Sequence, residues 1–407
     1  MAAATPLTHD ALIKHVYPDP DQVLIAMYEN NTLAAMLGKS FDGYGKNWHM
    51  PVRIAHTAGR SHSFDKAKKN KAASAVVEYQ INVTENYSLY SVSGRLQRQT
   101  SNNKGAFADA FEFELDSAMD AMKRNFGYEP YLNGGGAIGQ IGSGAATNTI
   151  TLLNINDIVK FEKGQVLQTS TTNGMTGAPK NGTVTVASVD RDAGTVTCTA
   201  TTWNDAAGIP LAATNDFIFT EGDFGLGVKG LDAWVPATAP VFGDSFFGLD
   251  RSQDVVRLAG SRTDLRTLGP EEAIQKMAQV SYRNGGKMTH CFMNDIDMLA
   301  LILALGSRKQ IANTEVEGKI GFEGVKVMTG YGTVECYSDY NCQQGLAWGL
   351  ELKNWELKGP GQFPFIEARD GTRLVREDSA DAFEGRIIAY YQMLAKKVAG
   401  TVRGRLT

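Results

Sequence analysis

Six histidines are present in the 407 residues: His9, His15, His49, His56, His62 and His290. A nucleophilic triad needs a histidine buried beside a nucleophile and an acid. A structural zinc site needs His or Cys at short, fixed spacings. No HxH, HxxxH or HExxH pattern occurs, and five of the six histidines crowd into the first 62 residues. His290 adjoins Cys291 in an apolar run that reads as a strand. Neighbours in a strand face opposite ways, so the two form no dyad. Cys198, Cys291, Cys336 and Cys342 are scattered. Cys336 and Cys342 have no zinc spacing; reduced thiols are the default, and a disulfide between them would need two paired strands.

Gly134, Gly136 and Gly139 satisfy GxGxxG. That motif holds a dinucleotide only where it follows a strand and opens a helix, so that backbone N–H groups face the pyrophosphate. Here it follows a helical pattern and precedes Thr/Val strands, and it reads as a flexible link at a domain boundary. Asp295 and Asp297 form a DxD that could hold a metal, but acids at a helix start also meet the helix dipole favourably. They are read as capping residues. GxSxG, Walker and calcium-loop patterns are absent. No catalytic, cofactor-binding or metal-ligating residue is therefore assigned, and no cofactor is expected.

The composition points the same way. Forty Lys+Arg against 44 Asp+Glu give a formal charge of -4, which argues against a dedicated nucleic-acid binder. The 43% of hydrophobic residues excludes a disordered chain. Glycine, at 43 residues, exceeds its usual share of roughly 7%, so many turns and close backbone approaches are expected. No apolar run is long enough to cross a membrane as a helix, and the N-terminus has no secretory pattern.

The charged groups that stand out belong to extended elements. Val77, Tyr79, Ile81 and Val83 alternate with Glu78, Gln80 and Asn82, a half-buried strand. With Val52 and Ile54 it predicts a hairpin, whose tip spans Thr57 to Ser74. That tip carries Arg60, Lys66, Lys68, Lys69 and Lys71 against one acid, Asp65. It has almost nothing to bury, so it is either mobile or docked on a partner. A long helix follows over Ala106–Phe126, with Gly127 as its stop signal. Phe107, Ala110, Phe111, Leu115, Ala118, Ala121 and Met122 share one side; Asp109, Glu112, Asp116 and Asp120 share the other. Phe113 and Glu114 break this pattern. The acidic row repels itself along the helix, so it is either a solvated face or the receptor for a basic surface. The hairpin tip is the matching basic surface, and a tip that cannot fold back would meet a neighbouring subunit's helix.

Beyond the glycine-rich link over 133–144, the stretch 145–223 is rich in Thr and Val. Val184 and Val186 alternate with threonines, Asp190 to Gly194 makes a turn, and Val196, Cys198 and Ala200 alternate again. This predicts a small inserted β-barrel, with further strands at Ile150–Leu153 and Phe217–Thr220. Helices then start at Pro270 and, capped by Asn294, at Asp295. Short strands and glycine turns run from Gly321 to Leu350. An apolar strand over Gly385–Leu394 precedes a basic tail with Lys396, Lys397, Arg403 and Arg405. The class is α+β.

Five stretches, in this order, resemble the major capsid protein of tailed bacteriophages, with the Hong Kong 97-like fold. "SFDKAKKNKAASAVVEYQINV" (63–83) resembles the family's extended loop and "GAFADAFEFELDSAMDAMKRNFG" (105–127) its spine helix. "FFGLDRS" (246–252) resembles the segment that re-enters after an insertion. "GFEGVKVMTGYGTVECYSDYNC" (321–342) resembles the axial-domain strands, and "DGTRLVREDSADAFEGRIIAYYQM" (370–393) the closing strands of the peripheral domain. The resemblance implies a division of the chain. An N-terminal arm would span 1–48, and the hairpin with the start of the peripheral domain 49–104. The spine helix and link would take 105–144, the inserted β-domain 145–223 and the return to the peripheral domain 224–268. The axial domain would span 269–360, and the closing strands and tail 361–407.

The resemblance further implies a virion shell protein, made in the host cytoplasm, that assembles with itself into hexamers and pentamers around DNA. It implies no enzyme, no membrane contact and no sequence-specific grip on the genome. The implied partners are a separate scaffold protein, a portal protein and a decoration protein. The family's long leading scaffolding segment is not matched here. No acceptor for a lysine cross-link is matched either, so no cross-link is expected. Rival readings are an encapsulin-like compartment shell, another phage structural protein or a β-rich adhesin, and a metal-dependent hydrolase using acids such as Asp250 and Asp295.

Overall fold

The computed structural model describes residues 31–94, 104–306, 310–316, 320–367, 375–377 and 380–406. The arm expected over 1–48 falls outside the described residues up to position 30. Over 104–112 and 310–323 the account concerns the backbone alone.

A first sheet is organised by its longest strand, Ala382–Ala395. Thr84–Ser93 pairs antiparallel with it from Ala382↔Ser93 to Tyr391↔Thr84. Trp355–Lys358, Phe365–Ile366 and Val375–Arg376 pair with it as well, and Gly38–Ser40 adds parallel to Trp355–Lys358. The long helix, Lys104–Tyr128, lies on this sheet, with the Ser88 hydroxyl donating to the Ala118 carbonyl at 3.0 Å. Leu115, Ala118 and Met122 are buried, as the helical spacing predicts, and Met119 and Phe126 join them, whereas Ala121, placed on the same side, is exposed. Phe126 stacks on Tyr391 with ring centroids 4.6 Å apart. Gly127 does not stop the helix. A Cβ there would lie 2.4 Å from Asn31 Oδ1, so glycine serves close packing within the helix.

The second sheet has seven strands. Its order is Ser261–Asp264, Val402–Arg405, Leu346–Leu350, His290–Met293, Gly332–Ser338, Ile320–Thr329 and Gln310–Val316. Helices Pro270–Arg283 and Asp295–Leu305 belong to this half. Asn294 caps the second, its side chain accepting from Ile296 N at 3.2 Å. The basic tail departs from expectation. Val402–Arg405 is an interior strand between Ser261–Asp264 and Leu346–Leu350. Val402 is buried, and Arg403 pairs with Asp232 and lies over the Trp348 ring. Cys291 and Cys336 are register partners on adjacent parallel strands, and all four cysteines are buried free thiols.

Between the long helix and the second sheet the chain closes a six-stranded barrel. Its order is Ala137–Ser143, Thr149–Leu152, Thr195–Cys198, Val184–Asp190, Val166–Ser170 and Phe217–Thr220, back to the first. Ile141, Ile150, Phe161, Leu167, Val196, Trp203, Ile209 and Ile218 are fully buried inside it. Its first strand is Ala137–Ser143, where the sequence pattern predicts a flexible link. Glycines there hid the alternation: a Cβ at Gly139 would press on the Phe161 ring at 3.1 Å.

One buried polar knot joins these parts. Asp339 accepts from Leu33 N at 3.2 Å, Tyr131 Oη at 2.8 Å and Asn341 N at 3.0 Å. Asn31 completes it, donating to the Lys123 carbonyl at 2.8 Å and accepting from Asn341 at 3.3 Å. Burial pushes the Asp339 carboxyl up, against these hydrogen bonds, which pull it down. Asp339→Ala strands buried donors on three segments. It is expected to cost about 3 kcal/mol or more, read as a lower urea midpoint at unchanged slope.

Candidate functional site: a projecting basic hairpin

The hairpin forms as its alternation predicts. Asn47–Ala55 pairs with Ala75–Asn82, from Asn47↔Asn82 outward to Ala55↔Ala75. Burial falls along it: Tyr79 and Ile81 are fully buried, whereas Val76 is 59% exposed.

The root is held by an aromatic and ionic cluster. The Tyr79 ring meets Trp234 edge-on at 5.3 Å, and Trp234 meets Phe246 at 5.1 Å. The Tyr79 hydroxyl donates to the Leu258 carbonyl at 2.8 Å, and Gln80 N to the Phe247 carbonyl at 2.9 Å. Trp234 Nε1 donates to the Met393 carbonyl at 3.1 Å, tying the root to the longest strand. Under the rings lies Arg251, buried, its guanidinium 4.2 Å from the Phe246 centroid and paired with Asp244 at 2.8 Å. Phe246 and Leu249 face each other in a short hairpin, Ser245–Phe246 with Leu249–Asp250.

The tip is the opposite. Residues Phe64–Lys69 make a short helix with no buried residue. Arg60, Lys66, Lys68, Lys69 and Lys71 are all exposed, and among the described residues none makes an ion pair. Phe64, 81% exposed, stands among them. Of the predicted acidic row, Asp109, Glu112, Asp116 and Asp120 all fall on the helix Lys104–Tyr128; Asp109 and Glu112 lie where only its backbone is described. Asp116 and Asp120 are exposed. Among the described residues no hydrogen bond or ion pair brings the tip cations to Asp116 or Asp120. Phe113 is 48% exposed, and Glu114 is half-buried, its carboxyl pushed up by burial.

Other chemistry-bearing residues take local roles. Asp250 accepts from Ser252 N at 2.8 Å. Asp297 accepts from Gly345 N at 2.7 Å, and Asp295 is exposed at its helix start. His290 is partly enclosed near Glu335, and burial pushes its imidazole down. Among the described residues no three His, Cys, Asp or Glu side chains converge as a metal site, and no helix is long and apolar enough to cross a membrane. Sequence reasoning singled out the tip cations but not Phe64 or the anchoring cluster. A lone aromatic in a polar tip was the available signal for Phe64, and "FFGLDRS" for the cluster.

A long helix on one sheet, a projecting hairpin, a second sheet with paired helices, and an inserted barrel together define the Hong Kong 97-like capsid fold. A chain of the cyanophage A-1(L) capsid asymmetric unit is similar, with a TM-score of 0.51 at 11% identity, over 98% of this chain and 96% of that one. Likenesses at lower TM-scores include a chain of the capsid of a native GTA particle (0.45, 8% identity, 100% and 96% covered). Another is a chain of an encapsulin complex from Synechococcus elongatus (0.44, 8% identity, 97% and 92% covered). At such identities the likeness is one of fold. No protein-family model matches the chain, and no curated protein does.

The root cluster makes a prediction. Trp234→Ala is expected to cost about 3–5 kcal/mol. It should also raise amide hydrogen exchange in both hairpin strands, though no hairpin residue is changed.

Proposed function

We propose that this chain is a shell subunit that assembles with itself into hexamers and pentamers of an icosahedral capsid enclosing a phage genome. The observation that carries this reading is the hairpin: its root is anchored by buried aromatics, while among the described residues its tip cations make no ion pair. An arm whose strands are paired and whose root is fixed binds with little ordering cost, because its geometry is set before it meets its neighbour. The exposed acids Asp116 and Asp120, with Asp109 and Glu112 on the same helix, are the complementary surface on the next subunit. Phe64 supplies an apolar anchor at the centre of that contact. The likeness of fold to a cyanophage capsid chain supports the reading.

Assembly, not catalysis, is the work assigned. A formal charge of -4 suits a wall that contains DNA without gripping it, since grip needs clustered cations. Repetition of modest interfaces under closed symmetry then supplies the stability. A separate scaffold, a portal and a decoration protein are the partners this role calls for. The same fold could also house a protein cargo, as an encapsulin does. Nucleic acid inside the particles supports the phage reading, and a packaged protein the other.

Negative-stain electron microscopy after size-exclusion chromatography, with and without candidate scaffold proteins, is the direct test. Closed particles or free rings support the proposal; a uniform monomer or dimer under every condition contradicts it. Changing Lys66, Lys68, Lys69 and Lys71 together to Glu should abolish particles. Chain stability should move by no more than about 0.5 kcal/mol per site, since these side chains are exposed. Normal particles from this variant would rule out the tip-to-helix pairing.

A further inference from the structure

The barrel joins the body through a stalk of two crossing segments, residues 133–136 going out and 223–230 returning. Gly225 N donates to the Gly135 carbonyl at 2.9 Å. At Gly136, with φ 82°, a Cβ would lie 2.2 Å from the Asp223 carbonyl oxygen. Beside the stalk a cavity of about 430 Å³ separates the barrel from the long helix and from strand Thr84–Ser93.

Glu129 lies in this cavity wall, the first residue of the turn that ends the long helix. Its carboxylate accepts from Asn86 Nδ2 at 3.0 Å and from the Tyr391 hydroxyl. Asp223, where the chain leaves the barrel, lines the same cavity and acts on Glu129 as a like charge. Strand Thr84–Ser93 adds a further acid, Glu85, and Tyr87; the helix adds Tyr128; the barrel adds the neutral Gln165. The nearby cations are engaged elsewhere. Arg124 pairs with Glu162, Lys160 with Asp157 at 2.6 Å, and Lys229 lies 4.2 Å over the Phe247 ring. Among the described residues no cation pairs with Glu129.

We propose that Glu129 is a proton-operated latch between the long helix and the barrel root. Protonated, it lets Asp223 and the stalk sit close; ionised, it repels Asp223 and loosens the stalk. Burial, opposed by the Tyr391 hydroxyl and reinforced by Asp223, raises its carboxyl from 4.5 to about 7. A group raised in the closed state favours that state fully below its ordinary value. The advantage is lost as pH rises through about 7. The barrel root is therefore tighter in mild acid than above neutrality.

Hydrogen exchange read by mass spectrometry tests this on the full chain, held in one assembly state at pH 6 and pH 8. After correction for intrinsic rates, peptides covering 129–140 and 220–230 should open about tenfold more readily at pH 8. Glu129→Gln keeps the acceptor for Tyr391 without the charge, and should stay protected at both pH values. Asp223→Asn removes the like charge and should move the transition to lower pH. Equal corrected rates at both pH values in the unaltered chain overturn the latch. So does a pH difference that survives in folded Glu129→Gln. If Glu129→Gln does not fold, a transition that Asp223→Asn leaves in place overturns it instead.

Discussion

The carboxylate of Asp339 is the point through which the halves of this molecule know each other's position. It is buried, and its donors come from segments far apart in the chain: Leu33 from the N-terminal side, Tyr131 from the end of the long helix, Asn341 from the turn beyond its own strand. A charge enclosed this way is costly unless every bond is made, so it tolerates one arrangement of its neighbours. That arrangement sets the end of the long helix against the seven-stranded sheet. The helix then sets strand Thr84–Ser93, and through the longest strand and Trp234 it sets the hairpin root. A mis-seated helix would displace the hairpin tip by many ångströms, which a subunit built to meet a neighbour cannot accept.

The hairpin divides its chemistry along its length for a related reason. Aromatic rings at the root bury large areas and lock direction, because edge-to-face contacts hold only within a narrow geometry. Arg251 works there as packing and as charge, its stem and plane covering Phe246 while Asp244 neutralises it. Nothing comparable exists at the tip, where a short helix carries cations on a surface with no interior. Local order without burial is what a contact element requires: enough structure to limit the entropy lost on docking, and no internal partner competing for its charges.

Much of this was legible locally. The alternation at Val77 to Val83, the Asn294 cap, the proline start at Pro270 and the Thr/Val hairpin around Asp190–Gly194 are short-range patterns, and each appears where the spacing put it. What escaped was non-local or masked by glycine. Residues 137–143 read as a link because Gly139 and Gly142 erase a period-two pattern, although glycine is there to let Phe161 and Leu153 approach. Val402–Arg405 read as a charged tail because its arginines dominate it. Only the fold supplies Asp232 and the Trp348 face that let Arg403 enter a sheet. The basic tip was visible as charge, yet no pattern within one chain can name the surface it meets.

The inserted barrel shows how a fold can accept a large addition without losing its registry. A closed barrel has no open edge and holds its own core, so it asks nothing of the host sheet. Its first and last strands pair with each other, Ala137 lying opposite Phe219, so the chain departs and returns at one place. The host therefore sees only a narrow gap to bridge, and the knot at Asp339 forms as if the insertion were absent. The cost is confined to the stalk, where two backbones must pass closer than side chains allow, and there the sequence is glycine at 134, 135, 136, 225 and 227. Beside Tyr128, which packs against the barrel core, polar contacts cross between barrel and body, an Arg124–Glu162 pair and an Asn156–Gln344 hydrogen bond of 3.1 Å. Contacts of that kind are weak beside a hydrophobic core, which leaves the barrel's attitude toward the body open to control by the few charged groups at its root.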